Sequence, residues 1–172
     1  MQPFETKLLF KIGERHRSRI VLMGVGNELR HDDGVAQTII RQLEGCNSDT
    51  ILAVDCQDAP ENFTSFVKRF NPTHIILIDA VDFRANPGDF EIFEIHDIES
   101  VRITTHKTSL AVMASYLRQE TSAHIFIIGI QPADSSFGIG LSQDVKKAVN
   151  LIVGSLRTVL NCSTQKNHTL KV

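Results

Sequence analysis

Three places in this 172-residue chain carry side chains able to hold a metal ion or move a proton. The first is a paired carboxylate, Asp32-Asp33, which ends the segment Met23-Gly24-Val25-Gly26-Asn27-Glu28-Leu29-Arg30-His31 and precedes Gly34. The second is Asp79, directly after the apolar run Ile75-Ile76-Leu77-Ile78, with Asp82 three residues on. The third is His106, in Thr104-Thr105-His106-Lys107-Thr108. Two carboxylates and an imidazole make a hard-to-borderline donor set suited to a divalent transition ion, and three protein ligands leave positions open for water or substrate. Each residue also has a plainer reading. Asp32 or Asp33 can cap a helix or complement its dipole, Asp79 can close a turn, and His106 can sit solvated in a first helical turn. The catalytic reading holds only if the fold brings the three loops together.

The elements that would do so are marked by hydrophobic periodicity. Continuous apolar runs at Ile20 to Met23, Ile51 to Val54, His74 to Ile78 and His124 to Ile128 predict strands buried on both faces. Between them, Val35, Ile39, Ile40 and Leu43, and then Phe63, Phe66, Val67 and Phe70, recur at helical spacing. Leu110, Met113, Tyr116 and Leu117 predict another helix, and Val145, Val149, Ile152, Val153 and Leu156 the last. Asn86-Pro87-Gly88 reads as a hairpin turn into an antiparallel edge strand around Phe90, Ile92 and Phe93. The alternation predicts an α/β fold, a three-layer α/β/α sandwich around a twisted, mainly parallel sheet of about five strands. If its first three strands are ordered 2-1-3, the loops bearing Asp33 and Asp79 flank one switch point and their carboxylates converge. A single domain over 1–172 is expected, with its core at about 20–160, an N-terminal extension of uncertain order at 1–19 and a frayed polar tail at 161–172.

Composition narrows the class further. With 18 Lys plus Arg against 20 Asp plus Glu and a net charge of −2, the chain lacks the basic surface of a nucleic-acid binder. No stretch reaches the ~18 apolar residues of a membrane span, and the start is unlike a secretory signal, so a cytoplasmic protein with no membrane partner is expected. The three cysteines, Cys46, Cys56 and Cys162, are odd in number and widely spaced, which argues against a disulfide framework and a structural zinc site. Gly24-Val25-Gly26 opens like a dinucleotide loop, but Leu29 stands where the third small residue is needed, and no Lys-Ser/Thr follows to bind phosphate. HExxH and GxSxG are absent. Cys56, beside Asp55, reads as a core residue, and His31, His74, His96, His124 and His168 as structural. Gly129-Ile130-Gln131-Pro132 ends the last strand, with backbone carbonyls available to a ligand.

Taken together and in order, five segments resemble one family. They are Gly24-Val25-Gly26-Asn27 with Asp32-Asp33-Gly34, Asp55 with Ala59-Pro60-Glu61-Asn62, Asp79-Ala80 with Asn86-Pro87-Gly88, Thr104-Thr105-His106, and Gly129-Ile130-Gln131-Pro132. The set resembles the endopeptidases that mature the large subunit of nickel-iron hydrogenases, most of all the branch serving membrane-bound enzymes of the formate-hydrogenlyase type. The resemblance covers residues 20 to about 155. It implies that Asp33, Asp79 and His106 bind nickel and carry catalysis, that Asp55 and Asn27 bear on substrate choice, and that the partner is a large-subunit precursor. That precursor would already hold its nickel-iron centre, so the nickel can arrive with it, and a short C-terminal peptide would be removed by a monomeric protease. Two departures stand out: Cys56-Gln57 replaces a usual Gly-Gly pair, and Asp33 stands where many members carry Glu. The alternatives are a non-catalytic, nickel-dependent docking protein or chaperone for the large subunit, and a nucleotide-binding domain, which Leu29 and the charge of Asp32-Asp33 disfavour.

Overall fold

A computed structural model of the chain describes residues 3–14, 18–96 and 107–162. Five strands, β1 (Ile20–Val25), β2 (Ile51–Gln57), β3 (His74–Ala80), β4 (Phe90–Glu94) and β5 (His124–Ile130), form one sheet in the order β2-β1-β3-β5-β4. β2, β1, β3 and β5 are parallel, and β4 runs antiparallel along β5 at the edge. Every residue of β1 is buried, as is every residue of β3 and β5 after the opening histidine. Such strands must be covered on both sides. α1 (Pro3–Ile12), α2 (Val35–Leu43) and α5 (Gln143–Leu160) pack with Ile20, Leu22, Ile76, Ile78, Phe126 and Ile128 on one face. α3 (Thr64–Phe70) and α4 (Lys107–Glu120) cover the other, where alternate residues Val21, Met23, Ile75, Leu77, Ile125 and Ile127 point. The three-layer sandwich, the 2-1-3 order and the antiparallel edge strand are as the periodicity predicts.

Other details differ. The Asn86–Gly88 turn forms, with Gly88 at φ +83° and the Asp89 N–H donating to Asn86 O at 2.9 Å, but it is not a hairpin. β4 pairs with β5 rather than with β3, so the connection passes over the end of β5. The Val81 N–H donates to Ile130 O and the Gly88 N–H to Gln131 O. These bonds engage two of the carbonyls of Gly129–Pro132 that were expected to be available to a ligand, and Gln131 Nε2 approaches a third, Pro132 O, at 3.3 Å.

Pro3–Ile12, in the segment expected to be of uncertain order, is a helix whose Leu8 and Ile12 are buried in the core. Phe4, on the same stripe at i, i+4 and i+8, meets Phe90 edge-on at 4.9 Å, Lys7 pairs with Glu91 at 2.6 Å, and Lys11 pairs with Glu94. α1 thus covers the edge strand, where unpaired backbone groups invite aggregation.

The cysteines also need correction. Cys46, just beyond α2, and Cys162, just beyond α5, form a disulfide with their Cα atoms 4.9 Å apart. They are 116 residues apart in sequence, and their adjacency arises only because α2 and α5 lie side by side. Cys56 is free and buried. Residues beyond 162, most of the expected tail, lie outside the described residues. Among the described residues no helix is long and apolar enough to cross a membrane.

Candidate functional site

The loop leaving β1 is shaped by glycines that no other residue could replace. A Cβ on Gly24 would stand 2.6 Å from Ile40 Cγ1, because α2 crosses β1 closely there. Gly26 has φ +146°, and its Cβ would fall 1.9 Å from the carbonyl oxygen of Asp33. This tight return brings the Asn27 N–H to Asp33 Oδ2 at 3.0 Å, while Asn27 Oδ1 accepts the Leu29 N–H at 2.9 Å. A 3-10 turn over His31–Gly34 then feeds α2, with Gly34 as the N-cap and no side chain capping it.

The two carboxylates therefore diverge, and neither is the helix cap. Asp32, 0% exposed, reaches across to the segment after β5. Its Oδ2 accepts the Ala133 and Asp134 N–H groups at 2.9 and 3.1 Å, and its Oδ1 the Ser142 N–H at 2.6 Å. Asp33, 1% exposed, lies on the side of Asp79, the penultimate residue of β3. Asp79 is 2% exposed, and burial first, then the charge of Asp33, hold its pKa well above the usual carboxylate range, against a smaller downward pull from the Ala80 N–H. Among the described residues nothing hydrogen-bonds to Asp79 Oδ1.

Asp33 and Asp79 thus meet at the carboxyl ends of β1 and β3, where the chain reverses its direction across the sheet and open α/β sheets bind ligands. Two buried acids repelling one another, one with an open oxygen, suit a hard divalent cation, which would relieve both the repulsion and the unmet acceptor. His106, the third expected member, lies outside the described residues. Among the described residues no set of three His, Cys, Asp or Glu side chains is grouped to hold a metal.

Around this pair the other expected residues fall as follows. Asp55, on β2 opposite Gly24, accepts the Gln57 N–H at 3.1 Å, and Asn27 Nδ2 approaches Asp58 Oδ2 at 3.5 Å, so both residues line the β1–β2 side of the same rim. Burial and the neighbouring Asp55 push the Cys56 thiol up to about 12, which leaves it a core residue rather than a nucleophile. His31 Nδ1 meets Gly140 O at 3.1 Å and ties the Asp32-held segment from its other end.

Asp82 is not at the acid pair's open oxygen but in a second network. Its Oδ1 accepts Gln131 Nε2 at 3.2 Å, and Gln131 Oε1 accepts the Phe83 and Ala85 N–H groups at 2.9 and 3.2 Å. Gln131 thereby shapes the loop that follows Asp79. That role had no signal in the sequence, since its partners lie 46 to 49 residues away.

Comparison with known proteins gives this rim its context. The family model described as hydrogenase maturation protease matches residues 39–158. The hydrogenase 3 maturation protease of Escherichia coli K12 is 31% identical over 133 residues, 77% of this chain and 85% of that protein. The solution structure of the endopeptidase HycI from Escherichia coli superposes with a TM-score of 0.69 at 26% identity, covering 78% of this chain and 86% of that one. The crystal structure of HycI from Thermococcus kodakarensis KOD1 reaches a TM-score of 0.81 over 90% of this chain and 99% of that one, and at 24% identity it speaks for the fold alone. A family match over most of the chain and a 31% identical relative lead to one assignment: the chain belongs to the hydrogenase maturation protease family.

Proposed function

We propose that this chain is an endopeptidase that removes the C-terminal extension of a nickel-loaded nickel-iron hydrogenase large-subunit precursor. It acts as a cytoplasmic monomer without a nucleic-acid or membrane partner. Asp33, Asp79 and His106 are its catalytic, nickel-binding residues, and Asn27 and Asp55 bear on substrate choice from the β1–β2 side of the rim. The observation that carries this reading is the buried Asp33–Asp79 pair, with its mutual repulsion and its open oxygen on Asp79.

The nickel is delivered by the precursor. Asp33, Asp79 and His106 would hold the ion, which would supply Lewis-acid chemistry at the scissile carbonyl and so remove the need for a Ser or Cys nucleophile. The chain's own groups prepare that site. Asp33 is held in place by the Asn27 N–H. Burial and the neighbouring Asp33 hold the Asp79 pKa well above the usual carboxylate range, so two charges side by side are disfavoured unless a cation offsets them. A metal brought by the substrate would thereby license cleavage.

The test is to incubate the protein with nickel-loaded and nickel-free precursor and follow the mass of the large subunit. Loss of a C-terminal peptide from the loaded form alone is expected. Asp33→Asn, Asp79→Asn and His106→Ala should each slow it at least about 100-fold, the scale of losing a metal-site contact. A stable complex with intact precursor would instead establish the docking-protein alternative, and normal cleavage by the His106 variant would remove that residue from the trio.

A further inference from the structure

α2 presents an apolar stripe to the sheet, with Val35, Ala36, Ile39, Ile40 and Leu43 all buried, yet Gln37 within it is 1% exposed. Its amide is half used. Nε2 donates to Gly26 O at 3.1 Å, whereas Oε1 is buried and, among the described residues, accepts no hydrogen bond. A buried amide with an unmet carbonyl is a poor choice for stability, since an apolar side chain of the same size would avoid that cost. What the donor half does locally is therefore the informative feature.

Gly26 is the residue whose φ of +146° folds the loop back on Asp33, and the next peptide supplies the Asn27 N–H that meets Asp33 Oδ2 at 3.0 Å. Gln37 also sits one helical turn beyond Asp33, so a single side chain links the helix that follows the acid to the loop that precedes it. Holding the Gly26 carbonyl fixes the plane of the Gly26–Asn27 peptide, and with it the direction of the N–H aimed at the carboxylate. We propose that Gln37 is a positioning residue, whose amide clamps the Gly26 carbonyl and so holds the Asn27 N–H on Asp33. The inference rests on the reading of Asp33 as a site ligand for its catalytic consequence, but not for its structural part.

Gln37→Met keeps the length and bulk of the side chain and removes both the donor and the orphaned acceptor. Amide hydrogen exchange, read by NMR on the metal-free protein, should rise at least about tenfold at Asn27 and stay within twofold at the α2 amides Ile39 to Leu43, with the Tm within about 3 °C of the parent. With nickel-loaded precursor, kcat should fall about tenfold while KM stays within twofold. Gln37→Leu should reproduce both results if the Met variant folds poorly. Unchanged exchange at Asn27 in a folded variant overturns the proposal, and so does a uniform rise along α2, which would make Gln37 a packing residue. Asp33→Asn measured alongside separates the two readings. Normal cleavage by that variant defeats the assignment of Asp33, while the Asn27 exchange still judges the clamp.

Discussion

Asp79 is the residue where burial and charge conflict most openly. Burial and the adjacent Asp33 raise its pKa, so the folded chain holds a proton on Asp79 that the unfolded chain, with a carboxyl near ~3.9, releases. Between those two values the native state binds more protons than the unfolded one, and stability must fall as pH rises. Below ~3.9 both states are protonated and the difference vanishes. Asp79→Asn keeps the shape and never ionises. Thermal melts of metal-free protein should therefore show equal Tm near pH 4 and a higher Tm for the Asn variant at pH 8, by at least the ~2–4 °C that each kcal/mol gives a domain of this size. Equal melting curves at both pH values would mean that Asp79 titrates as an ordinary carboxylate. If the pair takes a cation, as proposed, the same linkage makes its affinity rise with pH, because loading must displace that proton.

At the scale of elements, Asp32 is the fastener between the 3-10 turn after β1 and the segment joining β5 to α5. Three backbone N–H groups converge on its buried carboxylate, and hydrogen bonds to a charged acceptor are about twice as strong as neutral ones. Asp32→Ala leaves those donors without an acceptor and should cost roughly 3–5 kcal/mol. Hydrogen exchange should speed up at Ala133, Asp134 and Ser142 before it does at β1 or β3, and protection unchanged at those three amides would refute the fastener. This pairing spans 101 to 110 residues, which explains what could and could not be read from the chain. β1, β3 and β5 were legible because both faces are buried and the apolar runs are unbroken. Asp79 could be placed at the rim because it directly follows such a run, and Asp33 because it stands in the loop between the first strand and the first helical pattern after it. The division of labour within Asp32-Asp33, the pairing of β4 with β5 and the loop-shaping role of Gln131 depend on partners distant in sequence, and no local pattern records them. α1 has its stripe of Phe4, Leu8 and Ile12, but only the packed structure supplies the surface that stripe covers.

For the whole molecule the covalent tie is the Cys46–Cys162 disulfide. α2 and α5 are joined near their N-terminal ends by Asp32 and the Ser142 N–H, and beyond their C-terminal ends by the disulfide, with Arg157 Nη2 donating to Gln42 O at 2.7 Å beside it. One end of this helix pair supports the acid site and the other closes the fold. Odd cysteine number and wide spacing could not reveal the bond, since spacing in sequence says nothing about two ends that meet only after the helices pack. A cross-link enclosing 116 residues restricts the unfolded chain by about 5 kcal/mol in the loop-entropy account. At ~2–4 °C per kcal/mol, reductant should lower the Tm by roughly 10–20 °C. Cys46→Ser should match the reduced parent and be insensitive to reductant. Thiol counting sharpens the test, because three cysteines with one disulfide leave a single thiol, Cys56. Burial pushes that thiol up to about 12, so it should stay unreactive in the native protein and titrate as one equivalent after denaturation. Three equivalents in unreduced, denatured protein, together with a Tm indifferent to reductant, would show that the helix pair is held by Asp32, Arg157 and its apolar packing alone.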